Sequence, residues 1–371
     1  MSPDTPALPA LFRAYPMLQS VAWQPIPLLP TPVLDGSHAF TELGMDSFHV
    51  KCDDQTHSRQ GGNKIRKLAF LLSWAKRQGM NHVMTFGAAG SNHTLATALC
   101  AHEQGMKSSL LLGPQHNSTH LRENLLGYPE SAALIPAEWP DFTSVSLRLF
   151  HQIWQEDGAA PFIIPAGGSS VLGTLGYVDA AFELKVQIEE GLLPEPDCIY
   201  MAAGTMGSCA GLAFGIQAVG LKSKVLAIRV TGTAQANRQK AEHLARGALH
   251  TLRSHDPSFP ILHPERLRMK LRDEYFGQDY ALFTPEAVAA VEQAKSALGL
   301  HLEVYTGKAF AALLGDGAAG TLKGKKVLFW NTHGVNSQSP SESANNGKWK
   351  SLPKGLHHYF TKPLQPLDRE G

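Results

Sequence analysis

The sequence DCIYMAAGTMGSCAGLAFGIQAVGLKSKVLAIRV, residues 197–230, decides which fold the chain can adopt. Its middle part, residues 201–220, carries no charge and spaces Gly207, Gly211 and Gly215 four apart, which is also typical of paired membrane helices. Large aliphatic side chains are too sparse there for a membrane span, and strand-like residues precede and follow it. The stretch therefore predicts a strand, a glycine loop, a helix and a second strand.

The same alternation runs through most of the chain. Short aliphatic runs end in glycine or other small residues at residues 82–87, 108–113, 161–168, 198–204, 224–232 and 325–334. Helical patterns lie between them, at residues 64–77, 92–103, 176–189, 208–219, 285–298 and 309–314. This order favours an α/β fold with open parallel sheets, flanking helices and ligands bound where the strands end.

Length and composition narrow the functional class. A chain of 371 residues exceeds the usual size of one hydrophobic core, so we expect two domains. The 33 basic and 32 acidic residues nearly balance, which favours a small-molecule substrate over nucleic acid or an anionic membrane. The four cysteines are widely spaced and the histidines show no HExxH motif, so neither disulfides nor a metal site is expected. The N-terminus lacks the features of a secretory signal, and we expect a cytoplasmic location.

A lysine opens a helical pattern in QGGNKIRKLAFLL, residues 60–72. On a helical wheel Lys64 projects beside Leu71 and Ala75, at the edge of the apolar face. Partial burial and the positive end of the helix would both favour its neutral amine. A neutral amine can condense with a carbonyl cofactor, although a first-turn lysine can also simply extend its charged end to water.

Two strand-to-helix turns offer sites for anions. In GAAGSNHT, residues 87–94, free N–H groups and the hydroxyl of Ser91 suit a carboxylate, although Ser91 or Asn92 could equally be an ordinary helix cap. In GTMGS, residues 204–208, glycines and hydroxyls at a helix start suit a phosphate, with a structural turn as the alternative. The spacing fits neither GxxxxGK[ST] nor GxGxxG, so a monophosphate is favoured. Together with the lysine, these turns predict a site for pyridoxal phosphate and an amino acid.

Five short stretches, taken in order along about residues 50–335, also resemble one enzyme family. They are GGNKIRKL, GSNHT, PAGGSSVLGTLGY, GTMGSCAGL and VYTGKA. The chain resembles the family of D-cysteine desulfhydrase and 1-aminocyclopropane-1-carboxylate deaminase, which are pyridoxal-phosphate enzymes of the tryptophan synthase β-like fold, fold type II. The resemblance implies a homodimer. In such a fold we expect a large cofactor-binding domain of residues 1–64 and 165–371 and a small inserted α/β domain of residues 65–164.

The resemblance implies roles for residues around the cofactor. Lys64 would hold it as a Schiff base, Asn92 would contact its ring hydroxyl, and Asn63 would lie nearby. Ser91 would lie beside the substrate carboxylate. The cofactor phosphate would be held by the loop of Gly204, Thr205, Met206, Gly207 and Ser208.

The resemblance also implies roles for two tyrosines and a threonine near the substrate. Tyr280 and Tyr305 match tyrosines that line the substrate. Thr306 stands where the deaminase branch has a glutamate that keeps the pyridine nitrogen protonated. Threonine can form a hydrogen bond to that nitrogen but cannot supply the negative charge, which resembles the desulfhydrase branch and suits β-elimination.

We therefore expect β-elimination from D-cysteine or a related β-substituted D-amino acid, giving pyruvate, ammonia and the leaving group, with the Lys64 amine as general base. Deamination of aminocyclopropane carboxylate is an alternative that Thr306 disfavours. A relative that binds the cofactor without turnover is another, since Cys52, Asn331 and His333 depart from the family pattern. A dinucleotide-dependent oxidoreductase is disfavoured by the missing GxGxxG motif.

Overall fold

Two β-sheets organise the chain in the computed structural model, which describes residues 8–334 and 347–368. The strands are β1 (Val33–Asp35), β2 (Ser47–Cys52), β3 (His82–Ala88), β4 (Lys107–Gly113), β5 (Ala132–Pro136), β6 (Phe162–Ile164), β7 (Cys198–Ala203), β8 (Lys224–Arg229), β9 (Met269–Arg272) and β10 (Lys326–Asn331). Six of them form a sheet in the order β1-β2-β10-β7-β8-β9, and four form a sheet in the order β5-β4-β3-β6. All neighbours are parallel except β1 and β2. The predicted α/β class with open parallel sheets is confirmed.

Helices flank both sheets. They are α1 (Ala10–Ala14), α2 (Asn63–Arg77), α3 (Asn92–Glu103), α4 (Thr119–Gly127), α5 (Phe142–Asp157), α6 (Val171–Glu189), α7 (Gly207–Ala218), α8 (Arg238–His255), α9 (Pro285–Leu298), α10 (Val304–Ala318) and α11 (His358–Thr361). The sequence pattern places the start of α6 five residues too late. Ser170 Oγ accepts a hydrogen bond from Gly173 N at 3.1 Å, and this cap starts the helix at Val171.

The stretch at residues 197–230 folds as the predicted strand, loop, helix and strand. Helix α7 is buried against α6, and its glycines allow the close approach. A Cβ added at Gly211 would lie 2.4 Å from Thr174 O, and one at Gly215 would lie 2.6 Å from Ala181 Cβ. The glycine spacing therefore serves packing between helices of one chain. Among the described residues, no helix combines the length and the apolar character that a membrane crossing requires.

The four-stranded sheet, β3 to β6, lies within residues 65–164, and the strands of the larger sheet lie outside that range. The domain boundaries themselves stay a prediction. Helix α2 packs against both α6 and α3, so it contacts helices that flank different sheets. The C-terminal segment, residues 347–368, lies against α4, where Leu356 and Tyr359 join an apolar cluster with Leu121.

Candidate active site

A cavity of about 820 Å³ lies where β3, β7 and β10 end. Every residue that the sequence assigns to the site lines this cavity, namely Asn63, Lys64, Ser91, Asn92, Gly204, Thr205, Met206, Gly207, Ser208, Tyr280, Tyr305 and Thr306. Their placement agrees with the prediction that they act together. Their individual roles remain predictions.

Lys64 lies in the first turn of α2, half-buried in the cavity wall. The chain reaches it through Gly62, whose φ of 100° favours glycine and whose added Cβ would lie 2.8 Å from His333 O. Lys64 Nζ donates a hydrogen bond to Asn63 Oδ1 at 2.7 Å. Burial lowers the pKa of the Lys64 amine to about 8, although Glu303 opposes the shift. The Lys64 amine therefore loses its proton nearer to physiological pH than an ordinary lysine does, as a Schiff-base lysine requires.

A buried ionic network fixes the start of α2. The Arg66 guanidinium forms ion pairs with Asp53 at 2.8 Å and with Glu183 at 3.0 Å. Lys51 Nζ lies 2.5 Å from Glu183 Oε1. All four side chains are buried, so breaking one pair would leave an uncompensated charge in the core. Because Arg66 lies two residues after Lys64, the network holds the lysine backbone in place.

The loop after β7 forms a polar cup with the turn before α6. Ser169 Oγ lies 2.7 Å from Thr205 Oγ1 and accepts a hydrogen bond from Gly207 N at 3.1 Å. The added Cβ of Gly207 would lie 2.5 Å from Ser169 Oγ, so only glycine leaves this cup open. Met206 caps α7 with a φ of 70°, a conformation that is uncommon outside glycine.

Lys67 is the main site residue that the sequence interpretation missed. Its Nζ donates to Gly167 O at 3.0 Å and to Ser169 Oγ at 3.3 Å, which places the amine at the cup. Its side chain is 2% exposed, and none of the described carboxylates forms an ion pair with it. Burial, and then the charge of Lys64, hold the pKa of Lys67 well below its usual range. A bound phosphate would supply the missing negative charge, so the cup fits the phosphate of the predicted cofactor. The sequence feature that could have identified Lys67 is its position three residues after Lys64, because this spacing puts both lysines on one side of α2.

Of the two interpretations of Ser91 that the sequence leaves open, the helix cap is observed, and the carboxylate contact stays a prediction. Ser91 is the N-cap of α3, and its Oγ accepts weak hydrogen bonds from His93 N at 3.3 Å and Thr94 N at 3.5 Å. Ser91 also lines the cavity, which agrees with the predicted contact to a substrate carboxylate. An added Cβ at Gly87 would lie 2.8 Å from Ser91 Oγ, so the glycine makes room for it.

Asn92 is held by protein partners on both ends of its amide. Its Oδ1 lies 2.9 Å from His120 Nε2 and accepts a hydrogen bond from Asn124 Nδ2 at 2.8 Å. Its Nδ2 donates to Glu303 Oε2 at 2.6 Å. One of its two amide hydrogens is thus used, and the second stays consistent with the predicted contact to a ring hydroxyl. Glu303, a buried acid in the cavity wall, was not predicted.

The predicted substrate side carries two half-buried aromatic side chains. The rings of Tyr280 and Tyr305 lie 5.3 Å apart between centroids. Burial raises the pKa of Tyr280 to about 12, so this phenol stays protonated near neutral pH. Thr306 Oγ1 donates to Glu303 O at 3.0 Å, within the first turn of α10. Tyr305 and Thr306 therefore enter the cavity from one helix start.

Comparisons with known proteins agree with this arrangement. A profile described as pyridoxal-phosphate dependent enzyme matches residues 25–333. A Pyrococcus horikoshii protein, provisionally named a 1-aminocyclopropane-1-carboxylate deaminase, is 31% identical over 89% of this chain and 95% of its own length. A Yersinia pestis D-cysteine desulfhydrase is 31% identical over 76% of this chain and 84% of its own length. The crystal structure of an ACC deaminase homologue has a TM-score of 0.74 and 29% identity, covering 90% of this chain and 97% of the other.

Proposed function

Because the chain belongs to the family of pyridoxal-phosphate dependent enzymes, we propose that it is a lyase acting on D-cysteine or a related β-substituted D-amino acid. The products would be pyruvate, ammonia and the leaving group. The observation that carries this proposal is the pair of lysines on α2. Lys64 offers an amine with a lowered pKa, and Lys67 offers a buried amine that forms no ion pair with a described carboxylate. Both lysines line one cavity.

The residues present fit the cofactor. Its phosphate would be held by Lys67, Thr205, Ser169 and the N–H groups at the start of α7, and Lys64 would hold it covalently. Bound there, pyridoxal phosphate would supply an electron sink that makes the α-carbon proton of an amino acid removable. Ser91 and the start of α3 would bind the substrate carboxylate, while Tyr280 and Tyr305 would border its side chain.

The chain supplies the base for this chemistry. Once substrate has replaced Lys64, the released Nζ would take the α-proton, and the lowered pKa keeps part of this amine unprotonated. Asn63 Oδ1, at 2.7 Å, orients that nitrogen. Thr306 favours elimination over opening of a cyclopropane ring, because it brings no negative charge to the ring nitrogen. Deamination of aminocyclopropane carboxylate is the second candidate, and the name of the Pyrococcus horikoshii relative is what favours it.

A product assay tests the proposal. We expect the purified holoenzyme to absorb in the visible range and to release pyruvate from D-cysteine faster than from L-cysteine. Release of 2-oxobutyrate from aminocyclopropane carboxylate would identify the deaminase instead. A yellow protein that is inert toward paired D- and L-amino acids would indicate a relative without turnover. A Lys64→Ala variant that still formed a reducible imine would contradict the role of Lys64.

The proposal extends to a homodimer located in the cytoplasm, with a small amino acid as substrate and no role for nucleic acid. The near balance of 33 basic and 32 acidic residues supports the last point. Sedimentation at several protein concentrations would measure the assembly state, and a monomer at all of them would contradict the dimer.

A further inference from the structure

A carboxylate and two histidines form a cluster at the cavity wall, and departure of a thiolate does not require these groups. Glu303 Oε2 lies 3.4 Å from His333 Nδ1, and Glu303 Oε1 lies 3.5 Å from His120 Nε2. Glu303 and His333 both line the cavity, and their side chains are only 8% and 10% exposed. The rings of His120 and His333 lie 5.8 Å apart between centroids. The cluster is therefore a built part of the cavity wall.

The cluster is held from behind by Asn92, which donates to Glu303 and whose Oδ1 lies 2.9 Å from His120 Nε2. Burial opposes ionisation of Glu303, but His120, His333 and Asn92 outweigh it, and the pKa of Glu303 stays below its usual value. The other ionisable groups whose charges act on Glu303 or His333 are Lys64, Asp54, Tyr280 and Tyr305. Among the described residues, no group of three or more histidine, cysteine or acidic side chains is arranged to hold a metal ion. Proton transfer is a reaction that a carboxylate and an imidazole in contact can carry out.

A carboxylate beside an imidazole is suited to general acid catalysis, because it orients the ring and stabilises the imidazolium. Whether elimination needs such an acid depends on the leaving group. A thiol has a pKa near 8.5, so a thiolate departs readily without a proton. Hydroxide is the conjugate base of water, whose pKa is about 15.7, so it departs only when the oxygen is protonated.

We propose that His333, whose Nδ1 lies 3.4 Å from Glu303 Oε2, donates a proton to the departing oxygen of a β-hydroxy or O-alkyl amino acid. The enzyme would then eliminate water or an alcohol as well as a thiol, and this inference rests on the proposed function. The C–O bond breaks with its electron pair going to oxygen, which takes the imidazolium proton. The α-carbon proton passes to the Lys64 amine. Lys64 then passes this proton to solvent, and solvent returns a proton to His333. Hydrolysis adds one water and releases pyruvate and ammonia.

Two substrates that differ in the leaving group test the proposal in the holoenzyme. D-Serine needs a protonated oxygen, whereas β-chloro-D-alanine loses chloride without a proton. We expect wild type to release pyruvate from both. His333→Gln should lower the ratio of kcat/KM for D-serine to that for β-chloro-D-alanine by about 100-fold or more, as loss of a general acid does. Glu303→Gln, which acts through His333, should lower the same ratio by about tenfold, mainly through kcat.

His116→Gln is the matched control. His116 lines the same cavity and forms a 3.0 Å pair with Asp279, but both side chains lie at its exposed mouth. We expect this variant to leave the ratio unchanged. Binding of D-alanine, which has no leaving group, and the visible absorbance of the cofactor report whether each variant keeps an intact site. If His333→Gln lost D-alanine binding, the ratio of kcat/KM measured in Glu303→Gln would decide whether the proposal holds.

Three outcomes would overturn the proposal. They are an unchanged ratio in His333→Gln, an equal loss on both substrates, or a wild type that cleaves β-chloro-D-alanine and D-cysteine but not D-serine. The last of these leaves the proposed function standing. A wild type that cleaves none of the three substrates would instead remove the proposed function, and this inference with it.

Discussion

Asn63 Nδ2 donates a hydrogen bond to Ser208 Oγ at 2.9 Å, which joins the first turn of α2 to the first turn of α7. The same side chain accepts a hydrogen bond from Lys64 Nζ through Oδ1. One amide thus connects the proposed cofactor lysine with the loop proposed to hold the phosphate. Because the two helix starts are fixed to each other, the separation between the reactive amine and the anion site is set before any ligand binds.

Replacing Lys67 by methionine should affect stability and cofactor affinity in opposite directions. Lys67 is buried and forms no ion pair with a described carboxylate. The cofactor-free protein should therefore gain about 1–3 kcal/mol when this amine is removed, less the contribution of its hydrogen bonds to Gly167 O and Ser169 Oγ. Affinity for pyridoxal phosphate should fall about 10- to 100-fold, because a charge-assisted hydrogen bond to the phosphate is lost. Urea unfolding of the cofactor-free protein and titration with the cofactor measure the two effects.

Lys76→Met is the matched control for this change. Lys76 lies on the same helix, but it is exposed and donates to Gln104 Oε1 on the surface. We expect neither quantity to change much in that variant. A Lys67→Met protein that bound the cofactor as tightly as wild type would show that Lys67 does not contact the phosphate.

Replacing Gly207 by alanine should close the cup. The added Cβ would lie 2.5 Å from Ser169 Oγ and 3.0 Å from Lys67 Nζ, so both groups must move away from the loop. We expect at least a tenfold loss of cofactor affinity, equivalent to about 1.4 kcal/mol, in an equilibrium titration. Gly204→Ala is the control, since its Cβ would approach only Thr231 Cγ2, at 3.7 Å. Equal losses in both variants would contradict a role for the Ser169 and Lys67 groups.

Local signals account for what the sequence predicted. The aliphatic runs and helical periods gave the α/β class, and the glycine turns placed Ser91 and the loop at residues 204–208 at helix starts that do line the cavity. Lys64 was identified because the wheel of α2 and the motif around it agree. Each of these signals lies within one strand, one turn or one helix.

The site features that the sequence did not predict depend on contacts between distant parts of the chain. Asn63 and Ser208 are 145 positions apart, and Asn92 and Glu303 are 211 apart, so no periodicity connects them. His333 was noted only as a departure from the family pattern, and its acid partner could not be recognised. Residues 114–160 read as a polar connection with prolines, in which helices are allowed but not located, and α4 and α5 lie there.

The lowered pKa of Lys64 predicts how fast the cofactor-free protein takes up pyridoxal phosphate at different pH. Only the neutral amine forms the covalent link, so the initial rate should rise as pH increases through about 8 and then level off. Because Glu303 raises the pKa of Lys64, the midpoint in Glu303→Gln should move to lower pH. Absorbance of the bound cofactor follows the reaction. A rate that did not change between pH 7 and pH 9 would contradict a titrating Lys64 amine.

The buried carboxyl of Asp179 predicts a pH-dependent change in stability. Burial raises the pKa of this carboxyl to about 6, although the Leu11 N–H, which donates to Oδ1 at 2.9 Å, opposes the shift. The folded protein therefore holds this proton more tightly than the unfolded chain, and stability falls as pH rises from about 4 to 6. Above pH 6 the full cost of a buried charge remains.

Asp179→Asn removes that charge and keeps an oxygen that can accept from Leu11 N. We expect the cofactor-free variant to be more stable than wild type at pH 7.5, by about 1–3 kcal/mol, with the difference shrinking toward pH 4. Urea unfolding of both proteins at the two pH values isolates this group, because all other titrating residues are shared. A variant less stable than wild type at pH 7.5 would mean that the negative charge is needed, most directly by Arg66 and Arg13, whose charges act on Asp179.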